Sequence, residues 1–391
     1  MNLVIVGDLF PMPANIDLFK SGDAETLLGE KVLGFFRAAD FSVCNLEGCL
    51  YDGKAESRKD GIRIVAETAS VAAIKNMGIT YASIANNHLM DYGPRGYVRT
   101  CKTLTEAGIS WFGAGSNKDK IRKSVTFEKD GVTVTVYSVA ETLFNVPTDD
   151  YPGVNIYDEY RVCHEIEQLK KKCDCLIVLY HGGVERFRYV TPVLKKRFHR
   201  MADSGADIVI AQHTHVVGAE EYYNNSYLLY GQGNFLFHYG RIITRNNRTG
   251  LLLQLDITRQ GFLVHKHLVE RQEKTICYAK QDFRVFNEIS KRIAQGDTFE
   301  EEFKAFADSE IIKKGLLRSL RGINENDDRE KEENPDAFGQ YLMSQYTKAQ
   351  LMRIYKILSA EEFHELVTRG ILNMIERCNA EAASSKAEEK K

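Results

Sequence analysis

The sequence predicts an α/β fold over about its first 270 residues. Short apolar runs alternate there with amphipathic segments that repeat at helical spacing. Several of these runs end at a polar residue, and strand signals disappear after about Gln281, where the composition becomes charged and helix-prone. We therefore predict an α/β domain at 1–270, a helical C-terminal region at 271–379 and a disordered tail at 380–391.

The elements of the predicted domain follow in chain order. Apolar runs predict strands at 3–6, 41–46, 80–85, 176–180, 208–211 and 227–230. Helical spacing predicts a helix over 66–77, a second that opens near Pro94 and a third that begins at Thr191-Pro192. Val132, Val134 and Val136 alternate with polar residues, which predicts a half-exposed strand.

Composition excludes several classes of protein. The chain has 391 residues, 52 basic against 54 acidic, and a formal net charge of -2. This balance does not favour nucleic acid as a partner. No apolar stretch is long enough to span a membrane, and the first residues lack the basic region of a signal peptide. We therefore predict a cytoplasmic protein without a transmembrane segment.

Polar residues with metal-binding side chains follow the predicted strands. They are Asp8, Glu47, Asn87 with His88, His181, and the pair His213 and His215. Ligands of α/β sheets bind at the carboxyl ends of the strands, so parallel neighbours would bring these residues to one edge. In an extended segment residues i and i+2 point the same way, so both imidazoles of the pair can face one pocket.

Each of these signals has an ordinary structural explanation. An aspartate after a strand is common as a turn or helix-capping residue, and an Asn-Asn-His run is common in loops. The joint occurrence, in this order and at successive strand ends, is what favours a site. Carboxylates, imidazoles and a neutral amide oxygen are the donors that a pair of divalent ions requires to clamp a phosphoryl group.

The same residues carry a resemblance to a known family. The sequence resembles the CapA family of bacterial capsule or poly-gamma-glutamate synthesis proteins, within the calcineurin-like metallophosphoesterase superfamily. The resemblance covers roughly residues 1–260. The segments that carry it are Gly7-Asp8, Asn45-Leu46-Glu47-Gly48, Ala85-Asn86-Asn87-His88 with Asp91-Tyr92-Gly93, Gly113-Ala114-Gly115, His181-Gly182-Gly183 with Glu185, Gly205-Ala206-Asp207, His213-Thr214-His215-Val216 and Tyr230-Gly231-Gln232-Gly233-Asn234-Phe235.

The resemblance implies a sandwich of two mixed β-sheets flanked by helices, and it implies roles for the site residues. Glu47 takes the place of the carboxylate that bridges two metals, and Asn87 looks like an amide ligand. His88 resembles the histidine beside the leaving group, as an acid or a phosphate contact. The other implied ligands of one or two Mn, Fe or Zn ions are Asp8, His181, His213 and His215.

Two departures from the superfamily pattern concern the metals. Phe10 stands where the superfamily has a histidine, which removes one ligand and predicts one tight and one weak ion. The second motif is Asn-Leu-Glu rather than Gly-Asp, and Asn45 lies on the same face as Glu47, where it could support or replace that residue.

Four further residues are candidates for binding an anionic substrate. Lys59 and Arg63 lie where the family carries a basic pair, although a solvated basic loop is the alternative. Glu185 could bind substrate or orient His181, or make a surface ion pair. Asn234 could line the pocket or make a turn.

Two functions remain open from the sequence. The first is a metal-dependent phosphoesterase-like hydrolase that acts on an anionic small molecule or polymer in capsule or poly-gamma-glutamate production. The second is a non-catalytic assembly or transport factor with a structural or vestigial metal site, whose partners would be capsule-assembly proteins. Phe10 favours the second reading, whereas His88, which is not needed to hold metal, favours the first.

Overall fold

The computed structural model describes residues 1–54, 62–142, 145–238, 248–313 and 347–388. The described chain forms two compact units, the first reaching Phe299 and the second beginning at Glu300. The helices are α1 (Ile16–Ser21), α2 (Ala24–Ala38), α3 (Val71–Asn76), α4 (Gly93–Glu106), α5 (Glu159–Lys170), α6 (Pro192–Asp203), α7 (Arg284–Ala294), α8 (Glu300–Lys313), α9 (Lys348–Ser359) and α10 (Glu361–Glu388).

Nineteen strands are formed by the described residues, all in the first unit. They are β1 (Asn2–Phe10), β2 (Phe41–Leu46), β3 (Cys49–Leu50), β4 (Val65–Ala66), β5 (Tyr81–Ser83), β6 (Ser110–Phe112), β7 (Ala114–Gly115), β8 (Ile121–Arg122), β9 (Ser124–Lys129), β10 (Val132–Ala140), β11 (Gly153–Val154), β12 (Cys175–His181), β13 (Ile208–Gln212), β14 (Glu220–Tyr223), β15 (Ser226–Leu229), β16 (Asn234–Phe237), β17 (Thr249–Thr258), β18 (Gly261–Arg271) and β19 (Ile276–Tyr278).

Two mixed sheets dominate the first unit. The first has the order β19-β18-β17-β1-β2-β5-β6, and β16 pairs in addition with the end of β1. The second has the order β14-β15-β13-β12-β10-β9. Strands β1, β2, β5 and β6 are parallel neighbours, as are β10, β12, β13 and β15. The remaining strands of these two sheets, apart from β16, pair antiparallel with their neighbours; they are β9, β14, β17, β18 and β19. The carboxyl ends of four or more parallel strands therefore lie along one edge of each sheet.

Alternating side chains of β1 show how the layers pack. Leu3 and Ile5 join the cluster that also contains Ile177 and other residues of the second sheet, so this cluster lies between the sheets. Val4 and Val6 face the opposite way and pack with residues of α2 such as Phe36. On the far side of the second sheet, α5, α6 and α7 cover a third cluster. The predicted α/β sandwich of two mixed sheets flanked by helices is confirmed.

The prediction for β10 was wrong in one respect. Val132, Val134 and Val136 alternate with polar residues, yet nearly every residue of this strand is buried. The reason is that both faces are covered, and the small Thr135 is accommodated inside because its hydroxyl lies 2.9 Å from that of Thr126 on β9. Alternating apolar and polar residues therefore do not show that one face of a strand is exposed to solvent, because a small polar side chain such as threonine can also be buried on that face.

Local signals explain where several helices begin. Thr191 caps α6 by accepting a hydrogen bond from the Leu194 N–H, with Pro192 in the first turn, as the sequence predicts. Helix α4 likewise has a proline, Pro94, in its first turn, as the sequence predicts. The helix predicted over 66–77 is shorter, because Thr68–Ser70 forms a 3₁₀ turn before α3 begins.

The second unit consists of helices among its described residues. The side-chain amide Nδ2 of Asn373 on α10 donates to the Lys304 carbonyl and to Asp308 Oδ1 of α8, and Arg369 forms an ion pair with Glu300. The last helix runs to Glu388 and so includes part of the segment for which disorder is predicted. Residues 324–334, which are mostly charged and which we interpret as a solvated loop, lie outside the described residues. The bounds of the three predicted segments stay predictions. Within the described ranges, no helix is long and apolar enough to cross a membrane.

Candidate metal centre

The predicted ligands lie at the carboxyl ends of parallel strands in both sheets. Asp8 is near the end of β1, where it is paired with Asn45 of β2, and Glu47 follows β2 directly. His181 ends β12 opposite Gln212, the last residue of β13. His213 and His215 come next in the chain. The two sheets thus deliver carboxylates from one side of the sandwich and imidazoles from the other.

Three groups of donor atoms are close enough to hold a metal ion, with all atoms of a group within 4.8 Å of one another. The first contains Glu47, His181 and His213, and the second contains Asp8, Glu47 and His215. Glu47 is common to both, which is the arrangement expected of a carboxylate between two ions. The third group contains Glu185 with His213 and His215.

Glu47 is the strongest indication that this cluster binds a cation. The side chain is fully buried, and neither carboxylate oxygen has a hydrogen-bond partner among the described residues. Burial, followed by repulsion from Asp8, raises the pKa of Glu47 well above its ordinary value. A buried carboxylate without hydrogen bonds is costly unless an opposite charge lies nearby. The donor set therefore fits one or two divalent ions.

His215 is oriented by polar neighbours on β1 and β16. Its Nδ1 lies 2.9 Å from Asn234 Oδ1 and 3.2 Å from Asp8 Oδ2, and its Nε2 lies 3.7 Å from Glu47 Oε1. A proton on Nδ1 leaves Nε2 as the donor atom toward Glu47. Burial lowers the pKa of His215, but Glu47 and Asp8 outweigh that effect and raise it to about 10. A cation would replace the proton that these carboxylates attract.

His181 belongs to a network of amides that the sequence only partly indicated. Asn45 Nδ2 donates to Asp8 Oδ1 at 2.8 Å and lies 3.1 Å from His181 Nδ1. On the other side of the ring, His181 Nε2 lies 3.0 Å from Asn87 Oδ1. Burial and the neighbouring histidines lower the pKa of His181, so the ring is neutral and able to bind metal.

Asn86 was not predicted as a site residue, although it fixes the loop that carries Asn87 and His88. Its Nδ2 donates to the carbonyl of Leu46 at 2.8 Å, and its Oδ1 accepts from the backbone N–H of His88 at 3.1 Å. Short polar side chains that bond backbone groups two residues on are typical of such turns. The Asn-Asn pair in the sequence was the available signal.

Asp91 is a second residue that sequence reasoning left without a role. Its Oδ2 lies 2.7 Å from His88 Nδ1 and accepts a hydrogen bond from the Ile64 N–H at 2.7 Å. The far nitrogen of His88, Nε2, lies 4.0 Å from Glu47 Oε1. The His88 ring therefore lies between the buried Asp91 carboxylate and Glu47 of the candidate metal centre. The spacing of three residues between His88 and Asp91 could have indicated the pair.

The backbone after β13 is held in an unusual conformation. His213 and His215 have φ angles of 81° and 56°, in the left-handed region that side chains other than glycine rarely adopt. The His213 N–H donates to Asp8 Oδ2 at 3.2 Å, which helps to fix the turn. Strain of this kind costs about 1–3 kcal/mol per residue and concentrates at functional sites.

Buried glutamines join the two sheets beneath the cluster, and neither was predicted. Gln232 Nε2 donates to the Ile5 carbonyl of β1 at 2.9 Å, and its Oε1 accepts from Gln212 of β13 at 3.1 Å. The chain passes very close at this point, because a Cβ on Gly7 would lie 2.3 Å from the Gly233 carbonyl oxygen. Glycine at position 7 is therefore required by the close approach.

The four predicted substrate residues have different surroundings. Arg63 is exposed and precedes Ile64, whose N–H bonds to Asp91, so it lies beside the His88 pair. Lys59 lies outside the described residues. Glu185 is half-buried beside His213 and His215 rather than His181, and Asn234 contacts His215.

Phe10 is fully buried and packs against Gly48, where a Cβ would lie 2.6 Å from its ring.

Solved structures similar to this chain include a phosphoesterase and a nucleotidase. One is the calcineurin-like phosphoesterase YfkN of Bacillus subtilis, 12% identical with a TM-score of 0.37, covering 68% of this chain and 88% of that chain. The other is the NAD nucleotidase of Haemophilus influenzae, 12% identical with a TM-score of 0.44, covering 75% of this chain and 55% of that chain. Both likenesses are weak, and the fold assignment depends on the sheets described above.

Curated relatives give a clearer result. The chain is 26% identical over 309 residues to the capsule biosynthesis protein CapA of Bacillus anthracis, covering 76% of this chain and 74% of that protein. It is 29% identical over 230 residues to the PGA biosynthesis protein CapA of Bacillus subtilis, covering 58% of this chain and 60% of that protein. The model of the bacterial capsule synthesis protein family PGA_cap matches residues 2–239. This chain therefore belongs to the PGA_cap family of bacterial capsule synthesis proteins, as the resemblance to CapA predicted.

Proposed function

We propose that the protein is a metal-dependent hydrolase that cleaves a phosphoester bond during the production of a capsule polymer such as poly-gamma-glutamate. The observation that carries the proposal is the buried, hydrogen-bond-deficient Glu47 shared by two donor groups, with His88 4.0 Å away. Family membership supports the biological setting, and the site supports the chemistry.

The residues that would hold the ions are Asp8, Glu47, Asn87, His181, His213 and His215. Divalent Mn, Fe or Zn suits this mixture of carboxylate, imidazole and amide donors. Such ions would lower the pKa of a water molecule and withdraw charge from a phosphoryl oxygen. The chain's own contribution is to place the donors on two rigid sheets and to exclude bulk water from Glu47.

His88 is the residue we propose for proton transfer. Its Nδ1 contacts Asp91 at 2.7 Å, which keeps the other nitrogen, Nε2, directed toward the cluster. A water molecule would lose one proton to solvent and form its bond to phosphorus; as the bond to the leaving oxygen breaks, His88 Nε2 would give its proton to that oxygen and later regain one from solvent. Asp91 stabilises the protonated ring before transfer, in the way that a buried carboxylate orients an imidazole in other hydrolases.

The substrate is expected to be an anion. Arg63 is exposed on the segment that packs beside Asp91, and a guanidinium there would form charge-assisted hydrogen bonds with a phosphate or carboxylate. Lys59 belongs to the same predicted basic pair. Asn234 would bind substrate only through the face that does not contact His215. The cytoplasmic location stays a prediction.

The test combines metal content with activity. We would purify the protein without chelators, measure bound metal by elemental analysis, and assay chromogenic phosphomonoesters and phosphodiesters. The His88→Ala variant is the matched comparison, because His88 is not among the proposed ligands. We expect bound metal in both proteins and hydrolysis only in the wild type.

A different outcome would favour the assembly factor. If metal binds but His88→Ala retains full activity, or if no phosphoester is cleaved, the proposed proton transfer is wrong. If no metal binds even after incubation with Mn, Fe or Zn, the cluster is a remnant of the fold. Complementation of capsule production by the Asp8→Ala variant would then separate a metal-independent role from a catalytic one.

A further inference from the structure

We infer that the Glu185 carboxylate is a direct metal ligand, which completes the half of the site formed by Asp8 and His215. The inference rests on the metal binding proposed above and extends it to a residue that the sequence indicated only as a substrate contact or support for His181. It follows from a difference in the number of protein donors between the two groups that share Glu47.

The two halves of the site differ in their number of donors. The half around His181 has Glu47, His181 and His213, and Asn87 Oδ1 lies 3.0 Å from His181 Nε2. The half around Asp8 has only Asp8, Glu47 and His215. Protein sites for ions such as zinc commonly supply four donors, or three with one open position. With Asn87 counted, the Asp8 half therefore has one protein donor fewer than the His181 half.

Phe10 explains the deficit. It lies two residues after Asp8 on β1, but its ring is fully buried against Gly48 and offers no donor atom. A missing ligand must then come from another part of the chain. Among the described residues, Glu185 is the remaining carboxylate that groups with site imidazoles within 4.8 Å.

The loop that carries Glu185 is attached to the loop that carries the imidazoles. The Arg186 N–H donates to the Thr214 carbonyl at 2.8 Å, between His213 and His215 in the chain. Gly183, with a φ of 99°, lies so close that a Cβ there would be 3.2 Å from the Thr214 methyl group. These contacts hold the Glu185 backbone beside His213 and His215 whether or not a ligand is present.

Backbone strain on both loops agrees with a positioned donor. Arg186 has a φ of 65°, and His213 and His215 also lie in the left-handed region. Such conformations persist where the surrounding contacts determine them, and they are typical of ligand-binding segments. A side chain that merely formed a surface ion pair would not need this fixed backbone.

Charge favours metal binding over contact with substrate. A carboxylate repels an anionic substrate, so Glu185 is poorly suited to bind a phosphate directly. Asp8 and Glu47 offset only part of the charge of two divalent ions, and a third carboxylate would reduce the remainder. Glu185 is half-buried beside His213 and His215, whereas Glu47 is fully buried, so the Glu185 carboxylate is accessible to an ion that these imidazoles bind.

The test measures metal binding directly and does not depend on activity. Metal-free wild type, Glu185→Gln and Glu185→Ala would be titrated with Mn²⁺ in equilibrium dialysis, with bound metal measured by elemental analysis. Glu167→Gln, an exposed position on α5, is the matched control, and His215→Ala is the positive control. Circular dichroism of each metal-free protein would establish that it is folded.

We expect wild type and Glu167→Gln to bind two ions, and both Glu185 variants to bind one ion normally and the other at least about tenfold more weakly. The alanine variant matters because a glutamine oxygen can still coordinate. If both Glu185 variants bind two ions with wild-type affinity while His215→Ala loses one, the inference is overturned. If the wild type binds two ions but cleaves no phosphoester, the proposed function is contradicted. The inference about Glu185 then still stands or falls on the metal affinities of the two Glu185 variants.

Discussion

Two buried polar regions of the first unit differ in whether their polar side chains have hydrogen-bond partners. In one, which we call the His238 cluster (Asn15, His238 and the backbone of 272–275), His238 Nε2 lies 3.1 Å and 3.2 Å from the carbonyl oxygens of Gln272 and Thr275. Its Nδ1 lies 3.5 Å from the amide nitrogen of Asn15. In the other, the metal centre, Glu47 has no hydrogen-bond partner among the described residues.

The two histidines that represent these regions respond in opposite directions. Burial, with Arg271 nearby, lowers the pKa of His238 to about 4. His215 is also buried, but Glu47 and Asp8 raise its pKa to about 10. Burial alone therefore does not identify a functional histidine. What distinguishes the candidate metal centre is an excess of buried acceptors over donors, which a bound cation would balance.

The largest expected effect separates chemistry from stability. His88→Ala should lower the rate of phosphoester hydrolysis by about 10²–10⁴-fold, because it removes the proposed proton donor. Bound metal per chain should remain unchanged. His238→Gln is the control, since the hydrogen-bond partners of this buried histidine are Asn15 and the backbone of 272 and 275 rather than a proposed ligand. The change should leave the rate per folded molecule intact. Equal rates for wild type and His88→Ala would contradict the proposed role of His88 in proton transfer.

The next effect concerns Glu47 and the linkage of metal to folding. Mn²⁺ at about a thousand times its dissociation constant should raise the free energy of unfolding of wild type by about 4 kcal/mol. Glu47→Gln should show little of this increase. Urea denaturation with and without Mn²⁺ measures both quantities, and a full metal response in the variant would contradict the role of Glu47.

A third effect tests the His238 cluster through pH. The folded-state pKa of His238 lies below its unfolded value, so the unfolded protein binds the proton more readily. Its contribution to stability is present above about pH 6.5 and is lost as the pH falls toward 4. Metal-free wild type should therefore lose up to about 3 kcal/mol more than His238→Gln over this range. Denaturation curves at both ends of the range measure the difference, and parallel losses would show that His238 is not buried as a neutral ring.

The smallest effect provides a reference for purely structural damage. Thr191→Ala removes the cap of α6 and should cost about 1 kcal/mol of stability. Because Thr191 is not a proposed ligand, the loss should be the same with and without Mn²⁺, and the metal-linked increment should be preserved. Thr191→Ser should restore most of the lost stability. An increment that shrinks in Thr191→Ala would mean that the metal centre depends on remote packing.

The sequence predicted the strand ends better than their connections. Asp8, His181 and His213 were identified because each follows an apolar run, and parallel pairing then brings such ends together. Helix α2 was not predicted, and the structure shows why: Gly29, with a φ of 71°, interrupts its helical geometry, so the pattern is broken.

Residues that act through tertiary contacts were the hardest to predict. Asp91 accepts a hydrogen bond from the Ile64 N–H, 27 residues before it in the chain, and Gln212 at the end of β13 donates to Gln232, 20 residues after it. Periodicity gives the faces of a strand but not its neighbours. The roles of individual ligands, including Glu47 and Asn87, stay predictions until metal binding is measured.

The Gln212–Gln232 link between the sheets also bears on how the protein folds. The proposed ligands extend from residue 8 to residue 215, so a cation meets its full set of donors only after distant parts of the chain have paired and both sheets have docked. Contacts of such long sequence separation form late and slowly. Metal binding would thus stabilise the fully folded chain selectively. A partly folded chain has no complete site and gains none of the stabilisation that the ion provides.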